Sequence, residues 1–143
     1  MIYPYLDSTN ITYGDYPYPE GYDVPATPSQ AGGGEGGNPA LWEELYQVTV
    51  EVGNTGGVAG AEVAQLYVSY PDEKAVDFPV RQLRGFEKVW LEPGQRKMVT
   101  FSLKRRDLSY WDVVRQNWVI PDSRIVVSVG ASSRKLYRSA SLP

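Results

Sequence analysis

From residue 46 onward, apolar and polar side chains alternate along the chain, and this pattern most constrains the fold. In the first alternating segment Tyr46, Val48, Val50 and Val52 share one face, while polar residues occupy the other. A period of two is that of an extended strand with one face buried. Six further segments follow, separated by turn residues, at 61–70, 81–91, 96–103, 110–113, 117–120 and 124–130. Seven short strands in about 100 residues predict an all-β, immunoglobulin-like antiparallel sandwich.

The same alternation predicts which side chains form the core between two packed sheets. On the second, fourth and seventh segments the inward faces carry Ala64, Leu66, Val68, Val99, Phe101, Leu103, Ile125, Val127 and Val129. Trp111 and Trp118, in the short fifth and sixth segments, are also expected in the core, because buried tryptophan contributes a large apolar area. Trp90 and Leu91 are adjacent and therefore point to opposite faces of the strand. Because both are apolar, the sequence does not decide which of the two faces the core.

Residues 1–45 show neither a strand nor a helix period, and we expect them to form an irregular N-terminal extension to a sandwich over residues 46–143. They contain six tyrosines, six prolines and a glycine block. Disordered segments are normally poor in aromatic residues, so a connector strap laid against a scaffold is favoured. Asn38 and Pro39 are suited to the N-cap and first position of a helix, which predicts a short helix within 39–45.

The residue types that are absent limit the chemistry of this chain. It contains no cysteine and no histidine, which argues against zinc sites and against Ser-His-Asp or Cys-His catalysis. No run of about 18 apolar residues is present, so the sequence predicts no membrane-spanning helix. We therefore expect no membrane partner.

Charge is distributed unevenly between the two halves of the chain. Residues 1–73 carry eleven acidic side chains and no Lys or Arg, whereas residues 74–143 carry all 14 basic side chains and six acids. Two interpretations follow. Acidic and basic segments neutralise each other within one fold, or a basic face meets an anionic surface.

The glycine block Gly32–Gly37 formally satisfies the pattern G-x-G-x-x-G. A dinucleotide site also needs a buried strand immediately before the glycines. The proline-containing segment Pro25–Gln30 precedes them instead, so a linker is predicted and no cofactor is expected.

The carboxylates do not form a recognisable catalytic or metal pattern. Glu43 and Glu44 lie in the first turn of the predicted helix, where acids are favoured by the helix dipole. The loop 72–77 has acidic residues, but it also contains Lys74. Calcium requires oxygen ligands, and a lysine ammonium group cannot supply one. We therefore predict no catalytic, cofactor-binding or metal-binding residue.

Exposed aromatic rings and one basic cluster are the candidates for ligand binding. Aromatic faces stack on sugar or phenolic rings, and nearby cations add attraction. The candidate polymer-binding residues are Tyr13, Tyr16, Tyr18, Trp90, Lys104, Arg105 and Arg106. Packing within the protein is the competing interpretation for each ring. With a sequence pI near 5.0, nucleic acid is not an expected partner.

Several motifs appear in the order typical of one known family. They are Tyr16–Tyr22, Gly32–Trp42, the run Val80–Gly94 that contains Leu83-Arg84-Gly85-Phe86, and Leu108–Asp112. Together they resemble the C-terminal fibronectin type III-like domain of fungal family 3 glycoside hydrolases, the β-glucosidase family, and the connector that precedes it.

This resemblance implies a non-catalytic accessory domain of a secreted enzyme, because the family's nucleophile and acid/base lie upstream. The main role implied is structural packing on the catalytic domains, which hydrolyse terminal β-glucosyl residues of cellobiose and short oligosaccharides. The alternative is a binding module that adsorbs to lignin or cell-wall polysaccharide through the aromatic and basic candidates. The sequon at Asn10 is a candidate N-glycosylation site in a secreted protein.

Overall fold

The computed structural model describes residues 38–143. A 3₁₀ helix, Pro39–Trp42, precedes eight strands and one single-turn helix, α1, Arg105–Leu108. The strands are β1 Glu44–Gly53, β2 Gly60–Ser69, β3 Gln82–Leu91, β4 Arg96–Lys104, β5 Tyr110–Asp112, β6 Asn117–Val119, β7 Val126–Ser132 and β8 Lys135–Ser141. Within the described residues no helix has the length and apolar character needed to cross a membrane.

Two antiparallel sheets face each other, which confirms the predicted all-β sandwich. One sheet has the strand order β3-β2-β7-β8, and the other consists of β1 paired with β4. Strands β5 and β6 form a separate hairpin. The turn between β3 and β4 falls at Pro93-Gly94, where Gly94 adopts a φ of 75° that favours glycine.

The core lies between the sheets and consists of the inward faces predicted from the alternation. On β4, Val99, Phe101 and Leu103 are 3%, 6% and 0% exposed. The inward faces of β2 and β7, with Ile125 immediately before β7, supply the other predicted core residues, and Tyr70 and Leu108 join them. Close packing of this kind makes the fold sensitive to the volume of each inward side chain.

The structure departs from the predictions in two respects, one in the strand set and one in the core. Strand β8 was not predicted, because most of its side chains are exposed and its sequence does not alternate. The placement of Trp111 and Trp118 in the core was wrong. Both are half-buried on the β5–β6 hairpin, where their rings meet edge to face with centroids 6.0 Å apart. This mutual packing shields them without reaching the core.

Candidate functional site

Three exposed apolar side chains lie on the outer side of β3, with exposed Lys88 between two of them. Phe86 and Trp90 lie opposite Gln65 and Ala61 of β2, and they are 68% and 56% exposed. Leu83, 48% exposed, lies on the same side because β3 carries an extra residue where the β2–β3 register shifts. Such a bulge changes the face on which the following residues appear. We call Leu83, Phe86 and Trp90 the β3 face.

The polar group of Trp90 already has a partner within the domain. Its indole Nε1 donates a hydrogen bond to Glu92 Oε1 at 3.0 Å. The ring itself remains more than half exposed, so its apolar surface is free to contact another molecule. Lys88 lies between Phe86 and Trp90 on the same face and is also exposed, so the face combines large apolar side chains with one cation, and exposed apolar clusters rimmed by polar residues are typical of interaction surfaces.

A second cluster surrounds Trp42 at the other end of the sandwich. Lys104 Nζ lies 5.4 Å and Arg106 Cζ lies 5.3 Å from the centroid of the Trp42 ring. Both distances are in the range of cation–π contacts, which contribute about 0.5–1 kcal/mol at exposed sites. We call Trp42, Lys104 and Arg106 the Trp42 cluster. It joins the 3₁₀ helix to α1, and the backbone N–H of Arg105 reinforces the junction by donating to Glu43 O at 2.9 Å.

Tyr70 holds the end of α1 against β2. Its hydroxyl donates a hydrogen bond to Leu108 O at 2.9 Å, in a buried position. Its ring stacks on Phe78 with a centroid separation of 4.3 Å. Burial raises the pKa of Tyr70 to about 12, because the anionic phenolate is disfavoured away from water.

Replacing Tyr70 by phenylalanine should therefore flatten the dependence of stability on alkaline pH. Because the pKa of Tyr70 in the folded protein exceeds the ordinary value of 10.0, the folded state binds this proton more tightly. Its contribution is intact below pH 10 and is lost progressively as the pH rises towards about 12. Denaturant unfolding between these pH values should show a steeper loss for the wild type than for Tyr70→Phe. Parallel pH profiles would show that Tyr70 does not retain its proton.

The structure separates two groups of predicted binding residues. Trp90 lies next to the β3–β4 turn, whereas Lys104, Arg105 and Arg106 lie at the far end of β4. A strand of this length spans roughly 25–30 Å. Trp90 and the three basic residues therefore do not form one compact site. Tyr13, Tyr16, Tyr18 and Asn10 lie outside the described residues.

Ion pairs connect the acidic and basic halves of the chain. Glu51 pairs with Arg96 at 2.7 Å, and Asp72 pairs with Arg124 at 2.9 Å. In both pairs the acid comes from the first half and the base from the second, as the neutralising interpretation of the charge pattern predicts. Exposed pairs of this kind contribute little stability individually.

The carboxylate of Asp112 has its hydrogen-bond partners within its own hairpin. Asp112 Oδ1 accepts hydrogen bonds from the backbone N–H groups of Arg115 and Val114. These bonds, that of Arg115 first, hold the pKa of Asp112 below its usual value. No group of three potential metal ligands occurs among residues 38–143.

Comparisons with known proteins agree with this architecture. The family described as Fibronectin type III-like domain matches residues 62–133. Probable beta-glucosidase E from Aspergillus clavatus is 55% identical over 139 residues, covering 94% of this chain and 13% of that protein. Beta-glucosidase 2 from Saccharomycopsis fibuligera is 49% identical over 143 residues, covering 97% of this chain and 16% of that protein.

Solved structures give the same result. The β-D-glucoside glucohydrolase of Trichoderma reesei is 46% identical with a TM-score of 0.72, covering 82% of this chain and 17% of that chain. A glycoside hydrolase family 3 β-glucosidase from Neurospora crassa is 47% identical with a TM-score of 0.68, covering 76% of this chain and 12% of that chain. The chain thus spans 13–16% of the length of the two sequence relatives. The catalytic domains of such β-glucosidases lie outside the stretch that it matches.

Proposed function

Because this chain belongs to the fibronectin type III-like domain family, we propose that it is a non-catalytic accessory domain that packs on the catalytic domains of a family 3 β-glucosidase. The observation that carries the proposal is the β3 face, which exposes two aromatic rings and a leucine on one side of a strand. The longer enzyme would act on terminal β-glucosyl residues of cellobiose and short oligosaccharides. An extracellular location, with Asn10 glycosylated, belongs to the same proposal.

The energy available from this face supports a packing role. Moving a phenylalanine side chain from water into a packed interface contributes about 1.5–3 kcal/mol. Trp90 adds a larger ring whose N–H is already hydrogen-bonded to Glu92, so its burial leaves no polar group without a partner. Aromatic side chains surrounded by polar residues are typical of the centres of protein interfaces.

The test uses this chain grafted in place of the matching portion of the Trichoderma reesei enzyme. Phe86→Asp should lower the melting temperature of the graft by several degrees, because a charge would be buried at the interface. In the isolated chain the same substitution falls on an exposed position and should have little effect. Met98→Asp is the matched control, since Met98 is 64% exposed and lies on β4 of the opposite sheet. Because Met98 lies opposite Glu51, where a second carboxylate is itself unfavourable, each substitution is scored as the change in the graft minus the change in the isolated chain. Equal differences for the two substitutions would contradict packing through the β3 face.

Adsorption to lignin or cell-wall polysaccharide is the second candidate, and the exposure of the Phe86 and Trp90 rings on one face of β3 favours it. Stacking on these rings would persist at high salt, whereas attraction to basic residues would be screened. The same Phe86→Asp and Met98→Asp chains decide this candidate. Depletion from solution by insoluble lignin, cellulose or chitin should weaken only for Phe86→Asp if the β3 face binds the polymer. Depletion no greater than that of an inert protein would exclude adsorption.

A further inference from the structure

Ion pairs do not neutralise the basic half of the chain completely. Within residues 38–143, three of the 14 basic side chains lie in ion pairs: Arg96, Arg115 and Arg124. A group of cations without a carboxylate partner in that part of the chain gathers at the tight turn between β7 and β8. This turn consists of Ser133 and Arg134, and β8 begins at the next residue, Lys135.

Three cations meet at this turn. The Arg81 guanidinium reaches it from the segment before β3 and donates a hydrogen bond to the Ser133 carbonyl oxygen. Arg134 and Lys135 follow Ser133 directly along the chain, and all three basic residues are exposed. A guanidinium has five N–H donors in a fixed planar fork, so the bond to Ser133 leaves donors of Arg81 for an anion. Cations held this close together attract an anion jointly.

Hydrogen bonds within the domain hold the turn in place. The Ser132 hydroxyl oxygen accepts from the backbone N–H groups of Arg134 at 3.3 Å and Lys135 at 3.1 Å. From β2, Gln65 Nε2 donates to Ala131 O at 2.9 Å. Together with the guanidinium bond to Ser133, these contacts tie the turn to β2 and to the segment before β3. Binding an anion here therefore requires little further ordering of the backbone.

An aromatic ring lies beside these cations. Tyr137 is 59% exposed, and Lys135 Nζ lies 5.7 Å from the centroid of its ring. Most of the ring surface is open to a ligand, and the face of a sugar ring stacks on such an aromatic surface. The neighbouring ammonium group is placed to pair with a carboxylate that the sugar carries. We call Arg81, Arg134, Lys135 and Tyr137 the turn patch.

Two carboxylates border the turn patch. Glu51 and Glu62 line a cavity together with Tyr137 and Arg138, and Glu51 already pairs with Arg96. We leave Arg138 out of the turn patch because it shares this cavity with both acids. Among the described residues, no carboxylate lies within ion-pair distance of the three cations of the patch. Their positive charge is therefore available to a ligand.

We propose that the turn patch binds a polyuronate, a polysaccharide whose sugar rings each carry a carboxylate. Successive carboxylates pair with Arg81, Arg134 and Lys135, and one sugar ring stacks on Tyr137. Both the site and the ligand differ from those of the adsorption candidate, which relies on uncharged stacking at the β3 face. The inference goes beyond the packing role and does not depend on it.

The composition of the turn patch favours this ligand over an acidic surface of the enzyme body. The centres of protein interfaces are depleted in charged residues and enriched in apolar ones. The members of the turn patch are three cations and one aromatic ring, which suit a hydrated polyanion better. Nucleic acid is disfavoured among polyanions by the sequence pI near 5.0.

Binding of polygalacturonate to the purified chain tests the proposal. The affinity should fall severalfold between about 0.01 and 0.1 M salt, over which the Debye length shrinks from about 30 to 10 Å. The fully methyl-esterified polymer has the same sugar rings without the charges, and it should bind at least about tenfold more weakly, because all of the ion pairs are lost. Equal affinity for the two polymers, or no binding of polygalacturonate at low salt, would overturn the proposal.

Two double substitutions that remove the same charge locate the site. Arg134→Gln with Lys135→Gln should weaken binding at least about fivefold, because two ion pairs are lost at the patch. Lys104→Gln with Arg106→Gln, at the end of the sandwich where β8 finishes, should weaken it by no more than about twofold. All four positions are exposed, so both variants should keep their melting temperatures within a few degrees. Equal weakening would show that net charge binds the polymer without a defined site.

Tyr137→Ala separates stacking from charge. It should lower the affinity for polygalacturonate about two- to tenfold, the range for an aromatic contact. Polyacrylate carries carboxylates without sugar rings, so its affinity should not change. Tyr137→Phe keeps the ring and should bind polygalacturonate as the wild type does. An equal loss for both polymers in Tyr137→Ala would contradict stacking of a sugar on this ring.

The Trichoderma reesei graft decides whether the turn patch is accessible in the longer enzyme. The graft should bind polygalacturonate as the isolated chain does. Binding by the isolated chain alone would overturn the inference in favour of an acidic surface of the enzyme body. The packing proposal is decided by the melting temperature of the Phe86→Asp graft, which requires no polymer. Failure of that proposal and failure of this inference are therefore distinguishable.

Discussion

Gly130→Ala should destabilise the sandwich by about 3 kcal/mol or more, the upper range for overpacking. A Cβ atom at Gly130 would lie 2.1 Å from Lys135 O and 2.7 Å from Leu136 Cα. Both are backbone atoms of β8, and the β7–β8 register shifts on either side of Gly130. Relief of the clash therefore requires that β8 move away from β7. Denaturant unfolding of the purified chain would measure the loss.

Gly60→Ala is the matched control for this prediction. Gly60 also lies in a strand, β2, but a Cβ atom there would meet nothing within 4 Å. Its substitution should change the free energy of unfolding by no more than about 0.5 kcal/mol. Similar effects of the two substitutions would mean that β8 can move away from β7 at little cost in free energy. Strand β8 would then contribute little to the cooperative fold.

The sequence predicts the core well where one face of a strand is buried and the other is exposed to solvent. On β4, Val99 and Phe101 alternate with exposed polar residues such as Thr100. The hydrophobic effect then buries the apolar face and leaves the polar face in solvent. A period of two in the sequence is therefore sufficient to assign the two faces. The same reasoning identifies the inward faces of β2 and β7.

The candidate interaction surface is harder to predict because β3 carries apolar residues on both sides. Val89 and Leu91 face the core, while Phe86 and Trp90 face outward. Alternation cannot decide which set is inward when both are apolar. The register shift at Arg84 adds Leu83 to the outer side, and a bulge of this kind depends on tertiary pairing that no local pattern encodes.

The Trp42 cluster illustrates a second limit. The basic run Lys104–Arg106 is visible in the sequence, but its aromatic partner lies far away along the chain. Only the docking of the 3₁₀ helix beside α1 brings them together. Contacts between residues distant in sequence are set by the fold, so the basic run alone could not indicate that two of its cations already engage a ring.

Phe101→Ala should cost about 3–5 kcal/mol of unfolding free energy, the range for truncating a buried phenylalanine. Phe101 is 6% exposed and belongs to the core between the two sheets. The substitution removes its buried area and leaves a cavity that the rigid strands cannot fully close. Met98→Ala on the outward side of the same strand should have a much smaller effect, since Met98 is largely exposed. Urea unfolding of both variants would measure the difference.

Gly85 provides an internal check on the cause of that loss. A Cβ atom at Gly85 would lie 2.9 Å from Phe101 Cδ1, so Gly85→Ala alone should destabilise the native core by forcing the ring to shift. In the Phe101→Ala background the added methyl group would enter the cavity instead, and its cost should shrink or change sign. A double-mutant cycle measures this coupling directly, with an expected magnitude of about 0.5–3 kcal/mol for residues in contact. Additive effects would mean that β3 and β4 do not pack through this pair. The inward side of β3 would then be stabilised mainly by Val89 and Leu91.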